Sequence, residues 1–164
     1  MDADRNCNFK GSTAIRLTKF SLEDSVSVLD GGALVYSRTD CFVELTLADV
    51  KISQVRSNLV ANGTLIPQIG QGVTLIDDLE GGGLFKVTSN SLKVNVQNST
   101  LSNISSVTGV GGIFNFNQRE YQGTFFNVTA TAFNSKSAGT LMYLKSSSLT
   151  LNATSNNIRC KDVA

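Results

Sequence analysis

The tightest group of titratable side chains in this 164-residue chain is Asp77, Asp78 and Glu80. Paired carboxylates can share the acid and base roles in cleaving a glycosidic bond. The chain has no histidine, and no arginine or aromatic platform accompanies the group. It also falls where the sequence pattern is least regular, and the plainer reading there is a solvated loop. A calcium site would call for a Gly-Gly-x-Gly-x-Asp nonapeptide repeat, which the chain lacks. The three cysteines match neither a zinc nor a thioredoxin-type spacing. The sequence therefore predicts no catalytic residue, no metal site and no cofactor, and the chain is expected not to be an enzyme.

Other residues offer modification or binding rather than catalysis. Five Asn-x-Ser/Thr sequons occur, at Asn62, Asn98, Asn103, Asn127 and Asn152. As glycan acceptors they imply a secreted surface. The competing reading is an asparagine ladder, with side-chain amides stacked at equivalent corners of successive layers. Asn98 and Asn127 lie near the same corner and fit either. Cys7, Cys41 and Cys160 read as small buried residues or as disulfide candidates, pairing Cys7 with Cys41 or joining chains through Cys160. A disulfide implies an oxidising compartment. Tyr36, Tyr121 and Tyr143 have rings that can stack on sugars, but Tyr36 and Tyr143 follow glycine corners at similar phase, which favours core or rim packing.

These residues need a scaffold, and composition describes it. Hydrophobic residues make up 41% and charged residues only 16%, against about 25% charged in ordinary domains. Ser, Thr and Asn replace the missing charge, which suits strands with neutral outer faces rather than surface helices. The net charge of +1 gives no electrostatic basis for binding nucleic acid or an anionic membrane. No apolar run approaches the roughly 20 residues of a membrane-spanning helix, so no membrane insertion is expected.

Within that scaffold one unit recurs. Glycines, a short apolar run, a polar turn, an alternating strand and an Asn/Ser/Thr-rich corner follow one another in Gly81 to Ile104, Gly109 to Ser135 and Ala138 to Ile158. Gly83 and Gly112 are 29 residues apart, and Gly112 and Gly139 are 27 apart. Gly32 and Gly82 are 50 apart, which reads as two coils. A fixed period in this range signals a solenoid. The expected fold is all-β, a single-stranded parallel β-helix of about six coils. It forms one domain over 1–164, with a lead-in at 1–10 and coils over 11–164 that are least regular at 58–80. A β-sandwich of short strands is the competing architecture, but it needs no glycine pair at fixed phase.

GGALVY, GGGLFKV and GGIFNF, followed by SLKVNVQNSTLSNIS and SLTLNATSNNI, resemble right-handed parallel β-helix repeats. The likeness is to the GG-A-I type of the polymorphic outer-membrane proteins of chlamydiae and of large protist surface β-helix proteins. It covers Gly31 to Ala164 with a gap around Asn58 to Glu80. The resemblance implies a right-handed coil and a place at the cell surface.

A solenoid has two ends with unpaired backbone groups and open core, which natural examples cap. No amphipathic capping helix is visible at either end. NIRCKDVA at 157–164 resembles the segments that precede glycine pairs elsewhere in the chain. The N-terminus has no apolar signal-like run, which leaves a mature piece, an excised fragment or an intracellular protein; ends that read as interrupted repeats favour the mature piece. Head-to-tail contacts between copies are heterologous and build filaments when they do not close. The expected function is an extracellular or cell-surface structural protein that assembles with itself, carrying N-glycans. The alternative is a carbohydrate-binding or adhesin segment of a longer β-helix surface protein.

Overall fold

The computed structural model describes residues 11–26, 34–57, 65–68, 72–75, 84–106, 112–135 and 141–160. Among these there is no helix. The strands are β1 (Ser12–Thr18), β2 (Ser21–Val26), β3 (Val35–Arg38), β4 (Phe42–Ala48), β5 (Lys51–Ser57), β6 (Leu65–Gln68) and β7 (Gly72–Leu75). They continue with β8 (Phe85–Ser106), β9 (Phe114–Ser135), β10 (Met142–Lys145), β11 (Ser148–Thr154) and β12 (Asn157–Cys160).

β8 and β9 are each 22 residues long and each makes one winding of a parallel β-solenoid. β3, β4 and β5 pair in parallel with successive parts of β8. β10, β11 and β12 pair the same way with β9. Along one wall the layers are β1, β4, β8, β9 and β11, each hydrogen-bonded to the next. Along the next wall they are β2, β5, β8, β9 and β12.

Parallel in-register pairing places each residue above its equivalent. Alternation along the strand then sends every second column inward. Val43, Leu92, Tyr121 and Leu149 share one such column, and Ile52, Leu101, Ala130 and Ile158 share another. Burying a Val, Leu, Ile or Phe side chain stabilises by about 1.5–3 kcal/mol, so the columns hold the stack together. At the start of each winding Phe85 stacks on Phe114 at 5.4 Å, and Phe114 meets Phe116 at 5.4 Å and Phe125 at 5.8 Å.

Corners need a different backbone. Lys19, Asp49, Asn98, Asn127 and Ser155 all have φ between 48° and 57°, one in each layer at the same place. Asp24, Gln54, Asn103 and Ala132 repeat this at a second corner, with φ from 51° to 57°. A left-handed residue costs roughly 1–2 kcal/mol outside Gly, Asn and Asp. It turns the chain sharply while its neighbours stay in the parallel ladder.

The solenoid has about four turns, not the six expected from spacing. β4 pairs directly with β8, so no layer lies between these two strands. Equivalent residues are 30 apart from Ser12 to Phe42, 29 from Ser91 to Glu120 and 28 from Glu120 to Ser148, but 49 apart from Phe42 to Ser91. The excess accommodates an excursion in which β6 and β7 pair antiparallel, Leu65 opposite Leu75. Pro67, opposite Val73 there, lies outside the main stack, as a residue lacking an N–H donor requires.

Candidate functional site

The sequence-predicted site residues are spread over the solenoid. Asn62, Asp77, Asp78, Glu80 and Cys7 lie outside the described residues. Among the described residues, no group of three or more His, Cys, Asp or Glu could hold a metal ion. Asn98 and Asn127 stand one above the other, and the Asn127 amide donates to Asn98 Oδ1 at 3.0 Å. Both are exposed. Their outward position follows from the left-handed corner. Asn103 and Asn152 are also exposed. One layer on, Asn156 supports the corner from inside the turn, donating to Phe125 O at 3.1 Å and accepting from Val128 N at 2.9 Å.

Cys41 is disulfide-bonded. Cys160 belongs to β12, three layers away through β8 and β9. At about 4.8 Å per layer that is roughly 14 Å, beyond the roughly 7 Å Cα reach of a disulfide.

Tyr36 and Tyr143 are exposed, not packed in the core. They point outward because they occupy the alternate positions of β3 and β10, in a column with Lys86 and Asn115. Lys86 Nζ sits 5.6 Å from the Tyr36 ring centroid. Lys86 is itself buried. Tyr121 faces inward, and burial pushes its phenol pKa up. Its hydroxyl, and both polar atoms of the buried Gln118 side chain, have no hydrogen-bond partner.

On the outer wall a shallow groove of about 210 Å³ is lined by Phe42, Lys93, Glu120, Gln122, Ser148 and Thr150 among others. Glu44 beside it takes Arg16 at 3.6 Å and Lys93 at 3.5 Å. These charges are too exposed for a strong pair.

No family model, no curated protein and no solved structure matches this chain. Function must therefore be read from the geometry.

The last described layer is the most unusual surface. Leu149 is 57% exposed, Leu151 48% and Ile158 44%. Each stands in an inward column whose members in β8 are buried: Leu92, Val94 and Leu101. Among the described residues, no further layer pairs with the strands that carry them. At the opposite end Ile15, Leu17, Phe20 and Leu22 pack against the core and are half-buried. Among the described residues, both end layers thus carry apolar side chains in the core columns and pair with one neighbouring layer. Sequence patterning had marked both ends as open. It had not marked these side chains, which become visible only when the columns are aligned layer by layer.

Proposed function

We propose that this chain is a non-enzymatic structural subunit that joins head to tail with its own copies into a fibre or cell-surface coat. The observation carrying the reading is the last layer, where Leu149, Leu151 and Ile158 leave core columns open. A layer of the same kind is the natural cover for such a face, since parallel β edges template further parallel pairing. The coil is taken as right-handed, the hand that parallel crossovers adopt in about 98% of cases.

Cys41 and Cys7 form the disulfide in this reading, since Cys160 is out of reach. A stable disulfide belongs to an oxidising compartment, which supports an extracellular location. N-glycans at the exposed Asn103 and Asn152 project from the flank of the stack and leave the end faces clear.

Sedimentation and negative-stain imaging across a concentration series test the reading. Fibres of uniform width are expected, with an axial repeat of roughly 24 Å for five layers at about 4.8 Å each. A discrete monomer at every concentration overturns it. The second reading, a carbohydrate-binding segment, rests on the outer groove, where Phe42 offers an exposed ring beside Glu120 and Gln122. A monomer whose saccharide binding disappears with Phe42→Ala would favour it.

A further inference from the structure

The joint between copies has a specific register, and this inference rests on the assembly reading above. Following each column from the first layer to the last identifies what would meet at a junction. Ile15 heads the column that ends at Leu151, and Leu17 heads the one that ends at Ala153. On the second wall Leu22 heads the column that ends at Ile158. The neighbouring outward column runs Glu23, Ser53, Ser102, Thr131, Arg159. Its three middle members are neutral, while its two ends carry opposite charge.

We infer that the last layer of one copy seats on the first layer of the next as one more in-register rung. Leu151 then covers Ile15, Ile158 covers Leu22, and Arg159 of one copy pairs with Glu23 of the other. Two independent features select this register. The first is the corner column: Ser155 closes it at φ 57° and Lys19 opens it at φ 52°. Only the in-register junction superimposes these left-handed corners. A slip of two residues keeps the inward and outward faces but places a corner against extended strand.

The second feature is charge. The outward residues of β11 and β12 are Ser148, Thr150, Asn152, Thr154, Asn157 and Arg159, and those of β1 and β2 include Arg16 and Glu23. In register, Asn152 lies over Arg16 and Arg159 over Glu23, so no like charges meet. Slipped by two residues, Arg159 faces Ser21 or Ser25 and its partner is lost. Directly opposed unlike charges stabilise adjacent strands, and like charges destabilise them. Within one copy Glu23 already accepts from the Gln54 amide at 3.1 Å, which holds its carboxylate on the outer wall.

The test is a charge exchange. Glu23 and Arg159 are both exposed, so Glu23→Lys and Arg159→Glu are expected to leave the solenoid folded, as circular dichroism checks. Each single variant should raise the critical concentration for assembly about three- to tenfold at low salt. The double exchange should return it to within about twofold of the wild type. The single-variant effects should shrink at high salt, where the screening length is only about 3 Å. Leu151→Lys, which places a charge in the apolar seat, should abolish assembly. If the wild type assembles but the single exchanges have no effect, or the double exchange is worse than either, this register is wrong and the assembly reading stands. If the wild type itself never assembles, both fall together.

Discussion

β8 and β11 carry the same chemistry in the same columns and differ in what lies beside them. Leu92 and Val94 of β8 are sealed between β4 and β9, whereas among the described residues the strand of Leu149 and Leu151, β11, pairs with β9 alone. Burial in a solenoid is therefore conferred by the adjoining layer and not by the strand itself. A middle layer contributes to the stability of its own chain. An end layer leaves the same kind of apolar surface exposed.

Truncation should expose this contrast most strongly. Phe114→Ala removes a ring in contact with Phe85, Phe116 and Phe125, and should cost about 3–5 kcal/mol in urea unfolding. Leu151→Ala in dilute monomer should cost under about 1 kcal/mol, because little burial is lost. Equal losses would mean that the end layer is covered within the monomer.

A smaller effect should come from β9, which departs from its neighbours. Where β8 has Leu92 and Val94, β9 has Tyr121 and Gly123. A Cβ at Gly123 would lie 2.5 Å from the Tyr121 hydroxyl and 2.7 Å from its ring, so the ring occupies the space its neighbour leaves. Gly123→Val should destabilise by about 1–3 kcal/mol through overpacking. Tyr121→Leu should cost a comparable amount through a cavity. Together they restore the β8 pattern, so the double variant should recover most of the loss in the same unfolding assay.

The smallest effect concerns the Tyr121 hydroxyl alone. It is buried without a partner, so Tyr121→Phe should leave stability unchanged or raise it by up to about 1 kcal/mol at pH 8. Burial holds the folded phenol pKa above its unfolded value of about 10. Stability is then fully present below pH 10. Above it the unfolded chain ionises first, and stability falls as pH rises. That alkaline loss should be absent from the Phe variant in a pH series of unfolding midpoints.

The architecture was legible because its signals are local. Alternation in Val43, Leu45 and Leu47 marked a strand. The glycine pairs marked the start of each winding, where Leu34, Leu84 and Ile113 pass hydrogen bonds from layer to layer. The layer count was not legible, because the 50-residue interval from Gly32 to Gly82 equals two short periods as readily as one period and an excursion. Only pairing between β4 and β8 distinguishes them. Asparagine at left-handed corners is a readable preference, and it marked the corner shared by Asn98 and Asn127. Lys19, Gln54 and Ala132 take the same conformation without that preference, held there by the layers around them. Which side chains stand in the first and last described layers of each column needs registers that only paired strands supply.

The excursion between β5 and β8 has a practical consequence. Ser57 still finds Ser106, and Val35 still finds Phe85, in adjoining layers, so the chain leaves the stack and re-enters it with no layer losing a partner. Foreign sequence added between β5 and β8 would interrupt none of the pairings between described layers. On an assembled fibre it would recur once per subunit, a ruler-spaced display of whatever it carries.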